Sequence, residues 1–181
     1  WTAAGQAMAW LWRGLETAAG WPLAFAWLPE PGLPALLLAL AAAFWWTLPR
    51  GTPGKPLATL LWLPLLWPAP MPPPPGQVEF VQLDVGQGLA VLVRTHRHAL
   101  LYDAGPAPPR GLDAGEAVVL PSLRALGVRR LDLLVISHGD NDHAGGADAV
   151  RRALAPTLSY APNGWQPETH AVCESGVAWE W

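Results

Sequence analysis

The sequence has one cysteine, Cys173, in 181 residues, which excludes a disulfide within the chain and leaves its compartment open. Its start lacks the basic flank and cleavage site of a secretory signal peptide. It opens on Trp1 rather than Met and stops on Trp179-Glu180-Trp181, so it reads as an internal piece of a longer protein. No basic surplus is present either. A net charge of −3 does not describe a surface built to wrap phosphate backbones. No internal repeat is visible.

Charge is scarcest in the first part. Residues 1–76 carry five charged side chains, Arg13, Glu16, Glu30, Arg50 and Lys55, against twenty in residues 77–181. The net charge divides accordingly into +1 and −4, and nine of the twelve tryptophans precede residue 68. Residues 32–48 form an uncharged run centred on Leu36-Leu37-Leu38-Ala39-Leu40, with Trp45-Trp46 where an interfacial aromatic belt is expected. A second uncharged run covers 56–70, and Pro64 should kink or break it. Soluble helices rarely lack a polar face. Residues 1–67 are therefore expected to be membrane-associated, with one or two transmembrane helices at about 32–48 and 56–70. The first is slightly short, since seventeen helical residues cover about 25 Å of a bilayer core of about 30 Å. If both span, the loop with Arg50 and Lys55 lies in the cytosol and the second part emerges on the outer face. The alternative is a pair of buried helices in a soluble protein. Trp10, Leu11, Arg13, Leu15 and Glu16 suggest a short amphipathic stretch in the membrane interface, or the end of a spanning helix. Residues 68–76, with six prolines, make a stiff connector and the domain boundary.

The second part alternates strands and helices. Residues 78–84 alternate apolar and polar at the strand period. Gly86-Gln87-Gly88 turns the chain into a strand at 90–93, and a hairpin over 94–98 leads to another at 99–102, ending on Asp103-Ala104-Gly105. Residues 116–126 have helical spacing and stop at Gly127. The apolar run 131–137 suits a buried strand, 142–154 a helix, and 157–160 a further strand. This order describes a layered α/β domain.

His138, Asp140, Asp142 and His143 put four potential metal ligands within six residues, where a buried strand hands over to a helix. Imidazole suits zinc, manganese or iron, and carboxylates favour harder ions. Gly139 permits a tight turn, and Ala144-Gly145-Gly146 leaves the helix start uncrowded. Capping by Asn141 or Asp142 explains one acidic residue, but not four ligands after a buried strand. His96 and His98 share a ligand spacing that a solvated hairpin tip explains better. His170 and Cys173 make half a zinc site without a second pair. Arg151-Arg152 complements a helix dipole, and Arg129-Arg130 a solvated loop.

The segment Ser137-His138-Gly139-Asp140-Asn141-Asp142-His143-Ala144-Gly145-Gly146 resembles the metal motif of the metallo-β-lactamase superfamily, with Asp140 at the second histidine position. That variant is similar to the ComEC family of DNA-uptake competence proteins. So are Leu83-Asp84-Val85-Gly86-Gln87-Gly88, Tyr102-Asp103-Ala104-Gly105-Pro106 and Leu120-Pro121-Ser122-Leu123-Arg124. The resemblance covers residues 77–181 by motif and 1–76 by character. It implies an α/β fold, the N-terminal part of an αββα sandwich, incomplete at its C-terminus and preceded by membrane helices. It also implies two divalent ions, manganese or zinc, with His138 and Asp140 helping to hold one and Asp142 and His143 the other. Asp142 and His143 would be catalytic, Asp84 and Asp103 would orient the site, and no organic cofactor is expected. The implied setting is the bacterial inner membrane in a multi-pass channel protein. Its implied partners are DNA, one strand transported and the other degraded, membrane lipids and other uptake proteins. Two departures stand out. Leu89 occupies a position usually held by Asp, and the superfamily's later ligands should lie beyond Trp181, so weak or no activity is expected of this piece alone.

Overall fold

The computed structural model describes residues 2–21, 24, 26–162 and 171–172. Strands β1 (Glu79–Gln82), β2 (Val91–Arg94) and β3 (Ala99–Tyr102) form an antiparallel meander. Strands β4 (Leu133–Val135), β5 (Leu158–Ala161) and β6 (Ala171–Val172) continue the sheet in parallel, giving the order β1-β2-β3-β4-β5-β6. The strands and hairpin anticipated from periodicity are present. β4 is buried along its whole length, which is why its sequence shows no alternation.

On one face, Leu92, Leu101, Leu134 and Ala161 pack with Leu123, Val150 and Leu154 from the covering helices into the main core. Each fully buried leucine there stabilises the fold by roughly 1.5–3 kcal/mol relative to exposure. The opposite face carries a smaller buried group of Leu100, Leu133 and Val135, with Val93 and Tyr160 packed against it. Phe80 and Leu158, whose register places them on that face, are 71% and 54% exposed at its two ends.

The two predicted helices of this part are both interrupted. A π-turn at Gly115–Val119 precedes α5 (Leu120–Ala125), with the Leu120 N–H reaching the Gly115 carbonyl. Pro121 has no N–H to give, and its ring crowds the carbonyl four residues earlier, which favours the wider turn. Gly127, at φ +78°, ends α5 while Val128 N–H bonds to Leu123 O at 2.8 Å, the closing bond of a Schellman motif. The second helix divides into α6 (Asn141–Ala144) and α7 (Ala147–Leu154) at Gly145-Gly146.

The first part corrects the expectation of spanning helices. Helix α2 (Leu33–Thr47) has 15 residues, about 22 Å at 1.5 Å per residue against a core of about 30 Å. The 56–70 run breaks into α3 (Lys55–Ala58), a 3-10 turn (Thr59–Trp62) and α4 (Leu63–Leu66). Pro56 and Pro64 each sit in the first turn of a new helical piece. Among the described residues no helix is long and apolar enough to cross a membrane. The topology drawn from Arg50 and Lys55 loses its basis with it. Lys55 instead donates to the carbonyls of Leu48 and Trp46, groups left unpaired at the end of α2.

Helix α2 and the 55–66 segment form a hairpin, tied by Trp62 Nε1–H to Ala39 O at 3.0 Å and by Trp45 Nε1–H to Pro53 O at 3.2 Å. Its outer surface is apolar, with Leu33, Leu37, Leu40, Phe44, Leu57 and Leu63 more than half exposed. Helix α1 (Thr2–Ala19) is longer than the short stretch expected, and Trp10, Leu11, Trp12 and Leu15 on it are likewise exposed. Contact with the sheet domain runs through the connector and residues 26–30. Glu30 N–H bonds to Ala125 O at 2.8 Å, Arg124 lies 4.2 Å over the Trp27 ring, and His96 Nδ1 is 3.1 Å from Pro73 O.

Candidate metal centre

The parallel register brings the carboxyl ends of β3 and β4 side by side, with Tyr102 opposite Val135. Asp103 follows β3 and His138 stands three residues past Val135, so the motif falls at the sheet edge where such folds place ligands. Asp103 is fully buried and adopts φ +58°, a left-handed conformation that Asp tolerates better than most side chains. It accepts three hydrogen bonds: the Ser137 N–H at 2.7 Å, the Ser137 hydroxyl at 2.7 Å and His143 Nδ1–H at 2.7 Å. A buried carboxylate saturated in this way is rigid. It also fixes the His143 tautomer, leaving Nε2 as the free acceptor.

The other donors gather on the exposed side of this pair. His143 Nε2 is 3.6 Å from Asp142 Oδ2, and His138 Nδ1 is 3.5 Å from Asp140 Oδ2. The two imidazoles lie 3.9 Å apart between centroids, tilted by 48°. Exposure of the side chains rises from 0% at Asp103 and 20% at His143 to 48% at His138 and 83% at Asp140. The structure thus brings His138, Asp140, Asp142 and His143 to one edge with Asp103 beneath. Among the described residues, however, no three His, Cys, Asp or Glu groups converge to hold an ion. Two imidazoles and two accessible carboxylates fit a divalent cation by donor chemistry, and they supply part of a coordination shell.

Asp84 has a different surrounding. It is exposed, and its Oδ1 accepts the Gly86 N–H at 3.3 Å, shaping the turn rather than touching the cluster. That turn nevertheless abuts the motif, because Leu89 N–H bonds to Asp142 O at 3.1 Å and Leu89 O accepts from Gly105 N–H at 2.9 Å. The Leu89 backbone therefore holds α6 in place whatever its side chain lacks. His96 and His98 sit in the hairpin tip, with His98 Nδ1 3.4 Å from Asp132 Oδ2, and His170 and Cys173 lie outside the described residues.

Three contributions escaped the sequence reading. Ser137 supplies two of the three bonds to Asp103, and the only hint was a hydroxyl directly after an apolar strand. Asn141 does not cap α6; its Oδ1 accepts the Ala107 N–H at 3.2 Å and ties the 104–107 loop to the motif, while Asp140 stands at the N-cap without a side-chain bond. Gly145 and Gly146 do more than leave the helix start uncrowded. A Cβ on Gly145 would strike Ala107 N and come 2.6 Å from Pro106 C, and one on Gly146 would strike Ala104 O and Gly115 N.

The hydrogen bond to Asp103 raises the pKa of His143 above its ordinary 6.5, aided by the charges of Asp103, Asp142 and Asp140 and opposed by burial. Because the folded value is raised, this pair stabilises the metal-free protein fully below about 6.5, and the contribution is lost as pH climbs through the raised value. A histidine NMR titration of the metal-free chain should place the His143 midpoint above 6.5, falling in Asp103→Asn. A midpoint at or below 6.5 would contradict this assignment.

The sequence profile described as Metallo-beta-lactamase superfamily matches residues 83–171. That segment is a metallo-β-lactamase domain. Competence protein ComA of Neisseria gonorrhoeae is 39% identical over 155 residues, 82% of this chain and 20% of that protein. Recombination protein 2 of Haemophilus influenzae is 37% identical over 110 residues, 60% of this chain and 14% of that protein. ComE operon protein 3 of Bacillus subtilis is 27% identical over 121 residues, 58% of this chain and 16% of that protein. The metallo-β-lactamase domain described here is thus related to competence proteins, and the chain spans 14–20% of the length of these relatives.

Proposed function

We propose that the chain is part of a channel protein for uptake of transforming DNA at the bacterial inner membrane, and that its metallo-β-lactamase domain is a metal-dependent phosphodiesterase. The observation that carries this reading is the Ser137–Asp103–His143 chain of hydrogen bonds beneath His138, Asp140 and Asp142. A carboxylate that orients a histidine and raises its basicity is the usual support of a metal-binding imidazole. In this reading His138 and Asp140 hold one divalent ion, manganese or zinc, and Asp142 and His143 a second. Two such ions would supply Lewis acidity toward a phosphodiester and would lower the pKa of a bound water. Asp103 holds the His143 ring and its tautomer, Asp142 lies against Nε2 on the open side, and Asp84 shapes the adjoining turn. DNA is the proposed substrate, one strand passing through and the other degraded, with other uptake proteins as partners.

Two structural features extend the proposal. The apolar face bearing Val93, Leu100, Leu133, Val135 and Tyr160 suits the second sheet of an αββα sandwich. The exposed leucines and tryptophans of α1 and of the α2–α4 hairpin suit a helix surface lying in the membrane interface. The test is manganese- or zinc-dependent cleavage of DNA by the longer protein, with His138→Ala as the comparison. Cleavage should fall by at least 100-fold, on the scale of losing one catalytic group. Unchanged cleavage in that variant would place the active site elsewhere, and cleavage of small esters but not DNA would favour another hydrolase activity of the superfamily.

A further inference from the structure

Four of the chain's eleven lysines and arginines line one pocket of about 300 Å³. Arg94, Arg97, Arg129 and Arg130 meet there with His96 and His98, and Asp132 is the sole acid among the lining residues. In a chain of net charge −3 this is a local inversion of sign. The pocket volume falls at the lower end of the range of small-ligand sites. It is built at the β2–β3 hairpin tip and the loop between α5 and β4, at the amino ends of β3 and β4. The His138 cluster follows the carboxyl ends of the same strands, so the two sites lie on opposite edges of the sheet.

The basic groups are divided between a fixed floor and an open rim. Arg94 is buried, its Nε paired with Glu79 and its Nη1 donating to Leu126 O at 2.7 Å. Asp132 is engaged below, its Oδ2 accepting the Ala99 N–H at 2.9 Å. Arg97, Arg129 and Arg130 stand exposed around the mouth. One wall is the connector itself, Pro70 and Pro72. Between them Met71 reaches back to the start of α2, where a Cβ on Gly32 would lie 3.1 Å from its Cε. A short way along the chain, Trp67 is 76% exposed. The basic pocket therefore shares a border with the apolar hairpin.

A cluster of arginines beside a helix surface suited to the interface is the arrangement that recognises acidic lipid headgroups. A groove that tracks single-stranded nucleic acid would need aromatic platforms for the bases, and no Phe, Tyr or Trp lines this pocket. We propose that the pocket binds the phosphate headgroup of an anionic phospholipid while the adjoining hairpin lies in the membrane interface. The inference rests on the membrane-surface reading given above, and the test separates the two.

The 181-residue chain is sedimented with vesicles of phosphatidylcholine alone, and with vesicles containing an equal part of phosphatidylglycerol. Binding to the neutral vesicles reports the hairpin, and the gain with phosphatidylglycerol reports the pocket. Each arginine removed from the rim should reduce that gain by about fivefold, so the combined Arg97→Ala, Arg129→Ala and Arg130→Ala variant should lose it while keeping neutral binding. All three side chains are exposed, and unchanged near-ultraviolet circular dichroism verifies that the variant folds. A full gain in that variant overturns the pocket and leaves the membrane reading standing. Failure to bind either vesicle overturns both. A variant that keeps the lipid gain but loses binding of a single-stranded oligonucleotide assigns the pocket to nucleic acid and overturns the lipid proposal.

Discussion

Asp103→Ala should lower the stability of the metallo-β-lactamase domain by about 3–5 kcal/mol, the scale of removing one partner from a buried charged network. The variant leaves the Ser137 N–H, the Ser137 hydroxyl and His143 Nδ1 without their acceptor, all at a residue with no exposed surface. It also forces alanine into φ +58°. Asp103→Asn separates structure from site. Asparagine tolerates the left-handed backbone and keeps the shape, so the stability loss should be nearer 1–2 kcal/mol. The amide has one acceptor and one donor end, however. With its oxygen kept on the Ser137 N–H, its NH₂ donates to His143 Nδ1 and moves the histidine proton to Nε2, the atom left for a ligand. Metal affinity should then fall by about 10–100-fold, the usual effect of losing such a support. Urea denaturation and calorimetric metal titration measure the two effects. If Asp103→Ala loses less than about 1 kcal/mol, within the cost of an ordinary hydrogen bond, the buried network is not the anchor described here.

Gly146→Ala is expected to cost about 3 kcal/mol, at the upper end of overpacking penalties. The added methyl meets Ala104 O, Gly115 N and Gly115 Cα, and none of these is a side chain able to turn away. Relief requires α7 to move off the 104–107 loop and the π-turn, which would also pull Ala104 N–H from His143 O, now 2.8 Å apart. Stability and metal binding should therefore fall together. Gly14→Ala in α1, where a Cβ meets nothing within 4 Å, provides the comparison and should leave the domain's unfolding midpoint in place. Equal midpoints for Gly146→Ala and the parent chain would show that the close approach is not needed.

These two residues illustrate what was legible in advance. The strands could be read because burial on one face leaves a period of two in the side chains, while burial on both leaves the largely apolar stretch at 131–137 that announced β4. That His138, Asp140, Asp142 and His143 share one edge could be read because they fall within six residues. Asp103 was placed at the site by resemblance, but its partner Ser137 was not seen, since a hydrogen bond across 34 residues leaves no local signal. Gly145-Gly146 was visible as glycine, yet the backbone it must admit belongs to distant segments. The apolar runs misled for a related reason. Composition reported that they avoid water but not how long a helix each sustains. The first run gives 15 residues, and the second breaks where Pro64 was expected to break it, with Pro64 opening a new helical piece of 4 residues.

The strictly sequential order of the six described strands has a consequence for biogenesis. Every strand pairs with one already synthesised, so the sheet can grow by addition at a single advancing edge as the chain leaves the ribosome. Among the described strands none must wait for a partner made later, and pairings between consecutive strands keep loop-closure costs low. The Asp103 cradle is completed as soon as β4 and α6 have been laid down beside β3, so the edge that carries His138 and His143 forms before β5 and β6 are added.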